Sequence, residues 1–213
     1  MELSALILCA YLIGSIPFGY LIAKSRGVDI LAVGSGSIGA TNVRRSLGNG
    51  PAFVVFILDT LKGFVPAMIA AQQFHDPVKT FLVGMVALVG HCFSIFLKLK
   101  GGKGVATGLG ALVATNYHVA LSALGIFIAF VLIFELVSLA SIMAALSVGI
   151  FGIVFGAPQP VVGCLFFLAA FVIFKHRANI VRLFNRTEPK LSVWTSIRRS
   201  KVDHGKTGAK VDK

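Results

Sequence analysis

Seven apolar runs, at about 3–23, 52–71, 78–97, 105–115, 119–134, 137–155 and 161–174, follow one another with only short interruptions. A chain of 213 residues that is 56% hydrophobic and 13% charged, with a mean hydropathy of +0.89, lacks the polar surface to hide them in water. The pattern predicts an all-α, polytopic integral membrane bundle of about seven transmembrane helices, because a spanning helix must satisfy its own backbone over roughly 20 residues. The fourth run, VATGLGALVAT, is too short for a hydrocarbon core of ~30 Å and is expected as a short or re-entrant piece buried among its neighbours. The first run has no basic segment before it and no cleavage site after it, so it reads as a retained span.

Charge placement orders the spans. Lys24, Arg26, Arg44 and Arg45 fall in one connection, Lys98, Lys100 and Lys103 in another, and Lys175, Arg177, Arg182 and Arg186 after the last run. The alternate connections, QQFHDPVK, NYH and GAPQP, are nearly neutral. With seven crossings every basic connection lies on one side, which the positive-inside rule makes the cytoplasm, with the N-terminus outside and the C-terminus cytoplasmic. The net charge of +12 is thus a membrane asymmetry suited to lipid head groups or phosphorylated substrates, and nucleic acid is not an expected partner. Cys9, Cys92 and Cys164 lie apart in apolar runs, and no metal-ligating cluster is present in the sequence. Residues 1–190 read as a single membrane-embedded domain and 191–213 as a basic, disordered cytoplasmic tail.

Three polar motifs interrupt the apolar body. The first, GSGSIGATNVRR at 34–45, matches GxGxxG, yet no strand precedes it and the acid that follows, Asp59, lies inside a span, so a dinucleotide fold is excluded. What remains is a backbone nest for an anion at Gly34, Gly36 and Gly39, with Ser35, Thr41 and Asn42 as neutral donors and Arg45 as a bidentate fork for phosphate. The second motif, GHCFSIFLKLKGGKGVATGLG at 90–110, lacks the P-loop spacing but places Gly101, Gly102, Lys103 and Gly104 before a helix that begins near Val105, a natural anion site. The third, HRANIVRLFNRTE at 176–188, sets His176, Asn179, Arg182 and Arg186 on one broad helical face. Asp59 and Lys62, at i and i+3, are expected to pair within their span, His91 to be a satisfied structural histidine, and Ser141 to glue helices or act as a neutral donor.

Together these motifs resemble the bacterial acyl-phosphate:glycerol-3-phosphate acyltransferase family, as do GSIPFG at 14–19 and DTLKG at 59–63; the resemblance covers about residues 1–190. It departs at Ser37, where the family usually carries asparagine, and at Arg186, where it often carries the glycine that bends the chain toward Glu188. The resemblance implies transfer of an acyl group from acyl phosphate to the sn-1 hydroxyl of glycerol 3-phosphate, giving lysophosphatidate and phosphate. This is the first acylation of bacterial phospholipid synthesis, placed in the cytoplasmic (inner) membrane with the site facing the cytoplasm. It further implies no cofactor, no metal, and a functional link to the soluble enzyme that makes acyl phosphate.

The residues agree with that chemistry. Acyl phosphate is already activated, GxSxG and HxxxxD are absent, and no acyl-enzyme is called for. The reaction needs two phosphate pockets, an apolar slot and an oriented hydroxyl. Lys103 with the 101–104 backbone is assigned to the acyl-phosphate head group. Ser35, Gly36 and Arg45 are assigned to phosphate, and His176 and Asn179 to glycerol phosphate. Glu188 binds a hydroxyl or orients Arg182. His176, with an ordinary pKa of ~6.5, is the side-chain candidate for general base, and a substrate phosphate oxygen is the alternative. The competing class, a transporter of a phosphorylated small molecule, would call for repeated halves and a midplane site, and no repeat is found.

Overall fold

The computed structural model describes residues 2–191, whose regular elements are all helices, apart from one isolated β-bridge between Ser94 and Lys100. The N-terminal run is not one helix. α1 (Leu3–Ser15) stops and α2 (Phe18–Lys24) restarts, because Pro17 supplies no N–H and forces Ile16 out of the helical region, to φ −59° and ψ 117°. The carbonyl freed at Ile16 accepts from Lys62 Nζ at 2.9 Å.

After the first polar motif come the short α3 (Ala40–Leu47) and the long α4 (Asn49–Phe74). On α4 a ridge at Phe53, Ile57, Leu61, Val65 and Ile69 is exposed, with the four-residue spacing of one helical face. The opposite face, with Val55, Asp59, Lys62 and Ala70, is buried. A monomer in water would not expose such a ridge; in a bilayer it faces lipid.

α5 (Pro77–Cys92) is capped by Asp76, which accepts from the N–H groups of Val78 and Lys79. The expected run 78–97 breaks at Phe93 into a 3-10 turn, Ile95–Leu97, with Lys98 and Leu99 in the left-handed region. α6 (Val105–Thr115) is the short fourth segment. It packs on α4, α5 and α7 (Tyr117–Phe134), and Gly63 of α4 lies so close to the Thr107 backbone that a Cβ there has no room. α7 and α8 (Val137–Val154) pack as a pair, α9 (Gln159–Lys175) leans on α8, and α10 (Arg177–Phe184) turns away from α9 by 62° at His176.

Each of the seven apolar runs is helical over most of its length. Leu3–Lys24, Asn49–Phe74, Tyr117–Phe134 and Val137–Val154 are each long and apolar enough to cross a bilayer, and α9 with α10 makes a fifth if counted as one bent span. At 1.5 Å per residue, α5 rises about 24 Å and α6 about 16 Å. Arg186 does not share the α10 face as expected. It sits past the end, at φ 58°, in a Schellman turn in which Arg186 N–H donates to Leu183 O and Thr187 N–H to Arg182 O. The arginine thus makes the bend itself, in the left-handed region. Of the tail expected from 191, only Leu191 is described; its N–H donates to Glu135 O at 2.8 Å, and 192–213 lie outside the described residues.

Candidate active site

The three motifs meet at one end of the bundle around a cavity of about 130 Å³. Its wall includes Ser35, Thr41, Asn42, Arg45, Lys103, Gly104, Ser141, His176, Asn179 and Glu188. Two helices start there. Ala40 and Thr41 open α3, Val105 and Ala106 open α6, and among the described residues no backbone acceptor takes the N–H groups of these four. Two helix N-termini directed into one polar cavity bring the partial positive charge that suits phosphate. Gly104 makes the α6 entry possible, at φ 83°.

Lys103 reaches across to α10. Its Nζ donates to Asn179 Oδ1 at 2.6 Å; Asn179 Nδ2 donates to Glu188 Oε1 at 2.7 Å; Arg182 Nε pairs with Glu188 Oε2 at 2.7 Å. Glu188 thus holds Arg182 and Asn179 with its two carboxylate oxygens. Burial opposes ionisation of Glu188, but the bonds from Asn179 and Arg182 outweigh it and hold the carboxyl below its usual range. Among the described residues no carboxylate pairs with Lys103. Burial pulls its ammonium down to about 8, with Glu188 opposing and Arg182 and Arg45 adding to the fall.

His176 stands beyond the end of α9, 2% exposed. Its Nδ1 lies 2.8 Å from Val172 O, which can only accept, so Nδ1 carries the proton and Nε2 is left as an acceptor. Burial first, and then the Lys103 charge, push the imidazole down to about 4. This corrects the expectation of a base poised near neutrality: the ring is neutral, well oriented and weakly basic.

The structure redirects several other assignments. Asn42 is not a free donor. Its Oδ1 accepts from Ser35 N–H and its Nδ2 donates to Ile30, Val33 and Ser37 carbonyls, so it folds the first loop. Asn179 is committed on both sides to Lys103 and Glu188 and holds the lysine in place. Ser141 donates to Val137 O at 2.8 Å and so presents a lone pair, not the expected proton. Gly102 N–H is taken by His91 O at 3.1 Å, so the nest narrows to Lys103 and the α6 N-terminus. Gly36, Gly101, Gly102 and Arg182 do not line the cavity. Arg45 lies at the exposed rim, where Nη2 donates to Pro189 O at 3.3 Å. His91 is buried as expected, but its Nδ1 has no hydrogen-bond partner among the described residues.

A second cavity of about 100 Å³ is almost wholly apolar and runs between α6, α7, α8 and α9. It shares Phe56, Gly104, Val105, Ala106, Phe127 and Ser141 with the polar one, so a polar chamber and a greasy slot adjoin at the start of α6. Sequence reasoning missed Phe56, Phe127 and the buried Ser138 as wall residues. Phe56 and Phe127 look like any lipid-facing aromatic in a span, and Ser138 carries no motif.

The glycerol-3-phosphate acyltransferase family profile matches residues 4–186. A glycerol-3-phosphate acyltransferase of Aquifex aeolicus (strain VF5) is 45% identical over 190 residues, covering 88% of this chain and 98% of that protein. One of Trichormus variabilis (strain ATCC 29413 / PCC 7937) is 43% identical over 207 residues, covering 88% of this chain and 91% of that protein. Among solved structures, PlsY (YgiH), an integral membrane glycerol 3-phosphate acyltransferase, in its glycerol 3-phosphate form, aligns with a TM-score of 0.88 at 41% identity over 92% of this chain and 99% of that one. Its lysophosphatidic acid form aligns with a TM-score of 0.84 at 42% identity, over 89% and 95%.

Proposed function

The chain belongs to the glycerol-3-phosphate acyltransferase family, of the PlsY type, and from that membership we propose that it moves an acyl group from acyl phosphate to the sn-1 hydroxyl of glycerol 3-phosphate. The observation that carries the donor assignment is the shared wall between the polar and apolar cavities. An acyl phosphate is an anion joined directly to a hydrocarbon chain, and this pair of spaces joins an anion site directly to an apolar slot.

The donor's phosphate sits at Lys103 and the start of α6, with its chain in the apolar cavity. Glycerol 3-phosphate takes the Ser35, Thr41 and Arg45 side, at the start of α3. The acceptor hydroxyl donates to His176 Nε2, which aims its oxygen at the acyl carbon. The C–O bond to glycerol forms and the acyl C–O bond to phosphate breaks, its electron pair leaving with phosphate. With His176 so weakly basic, the hydroxyl proton ends on a phosphate oxygen and His176 positions the hydroxyl. Lys103 and the α6 dipole stabilise the charge growing on the leaving phosphate. No acyl-enzyme and no cofactor takes part. We place the reaction in residues 1–190, with the N-terminus outside and the site open to the cytoplasm, in the inner membrane of a bacterium, where a soluble partner enzyme supplies the acyl phosphate.

The test is phosphate release and acyl transfer by purified protein in detergent, given glycerol 3-phosphate with acyl phosphate or with acyl-CoA. Turnover with acyl phosphate alone is expected, and equal turnover with acyl-CoA would overturn the donor assignment. His176→Gln is expected to lower kcat far more than it raises KM; an unchanged kcat would remove His176 from hydroxyl orientation.

A further inference from the structure

The polar cavity reaches past the loops to Asp59 of α4 and to His91, the second residue of the second motif, at the end of α5. Lys62 is satisfied without His91: its Nζ pairs with Asp59 Oδ1 at 2.7 Å and donates to Ile16 O at 2.9 Å, joining α4 to the break between α1 and α2. His91 Nδ1 faces the same Asp59 oxygen at 3.6 Å, beyond hydrogen-bond reach, and is buried with no other partner among the described residues. Among the described residues His91 Nδ1 thus faces a single carboxylate, one that Lys62 already holds.

The other side of His91 explains it. Gly101 and Gly102 have no side chains to anchor them, so the loop stands where its neighbours let it stand. Gly102 N–H donates to His91 O at 3.1 Å. A Cβ built on Gly102 would fall on His91 Nε2, and one on Gly101 would fall on His91 O. The glycine backbone thus lies directly on the imidazole and on its own residue's carbonyl, one residue before Lys103.

We propose that His91, faced by Asp59, is a positioning residue of the phosphate cradle, whose ring and carbonyl set where residues 101–104 stand. The inference rests on reading that loop as the cradle. A displacement of about 1 Å at Lys103 is enough to lower the rate by roughly 100-fold, so the strut belongs to the reaction although it touches no substrate.

The experiment is a double-mutant cycle on kcat/KM for acyl phosphate, with calorimetric binding of inorganic phosphate as a readout independent of turnover. Gly102→Ala alone is expected to lose roughly 100-fold, because its methyl collides with the ring, and His91→Ala roughly 10-fold, because the loop loses its support. Carrying both changes, the protein is expected to regain roughly 10-fold over Gly102→Ala, since the new methyl fills the space the ring leaves. Losses that simply multiply would overturn the strut. Asp59→Asn is expected to weaken inorganic phosphate binding and to lower kcat/KM for acyl phosphate several-fold, and unchanged values of both in folded protein would also overturn it; the His91–Gly102 cycle decides the matter if that variant does not fold. If unaltered protein binds no phosphate, the cradle itself falls and the strut with it. If it binds phosphate and the losses multiply, only the strut falls.

Discussion

Lys62 and Lys103 are two largely buried lysines in one bundle, and their surroundings differ in one respect. Lys62 has a carboxylate at 2.7 Å and a backbone carbonyl at 2.9 Å. Lys103 has a neutral amide at 2.6 Å, and the carboxylate of Glu188 is held behind that amide. The first charge is cancelled where it stands, inside a span. The second is kept at the mouth of two helices with its cancellation incomplete. A buried cation with a full counter-charge holds structure together; one left short of a counter-charge is prepared for an anion that arrives later.

Exchanging the two lysines for methionine breaks the comparison most directly. Lys103→Met is expected to lower kcat/KM by roughly 10²–10³-fold, as loss of a preorganised charge at a developing oxyanion does, with thermal unfolding in detergent unchanged or raised. Lys62→Met is expected to do the reverse in kind. It leaves Asp59 buried and uncompensated, at a cost of about 3–5 kcal/mol in unfolding free energy, with the protein that does fold retaining turnover. Removing both partners with Lys62→Met and Asp59→Leu should recover most of the stability but lower kcat/KM for acyl phosphate several-fold, because His91 then faces no carboxylate. Equal effects of the two methionine variants on turnover would erase the distinction.

Much of this was legible in the sequence, and the illegible part has a common cause. The order of the motifs, the start of α6 at Val105 and the Asp59–Lys62 pair follow from spacing and charge. Asn42 and Asn179 read as free amides because a sequence shows which groups can donate and accept, not which neighbours claim them. In the fold, loop carbonyls claim one, and Lys103 with Glu188 the other. The 78–97 run read as one helix because FSIFL is apolar, yet Ile95 and Phe96 are exposed in a turn. In a membrane protein apolar residues lie on the outside as readily as within, so periodicity marks neither helix ends nor lining residues such as Phe127. The pKa of His176 was out of reach for the same reason, since it depends on burial under α9 and on Lys103, a neighbour far away in the chain.

Titration sharpens the difference without changing the protein's bulk. With Lys103 at about 8, its charged form dominates below that pH and is lost above it, so affinity for inorganic phosphate should weaken as pH rises through about 8, approaching tenfold per unit. Binding at pH 8 should take up protons, seen as a calorimetric enthalpy that depends on the buffer's ionisation heat. Lys103→Arg, always charged, should move this alkaline limb out of range even if geometry lowers the rate. On the acid side, His176 at about 4 predicts that kcat shows no titration near 6.5. A limb there that disappears in His176→Gln would show an imidazole of ordinary basicity.

The smallest effect concerns how Glu188 comes to stand behind Lys103 at all. The Schellman turn after α10 swings the chain back so that Glu188 meets Asn179 and Arg182, and it does so with a left-handed arginine at φ 58°. A non-glycine residue there carries a backbone cost of about 1–2 kcal/mol, and Arg186 is exposed, so glycine should remove the cost without removing a buried contact. Arg186→Gly is therefore expected to raise the unfolding temperature by about 2–4 °C, less whatever the freer unfolded chain takes back. The alkaline limb of phosphate binding should stay near 8. A limb that moved would mean that Arg186, and not the Asn179–Glu188 relay, sets the charge on Lys103. A fall in unfolding temperature would mean that the arginine side chain contributes more at the surface than its backbone strain costs.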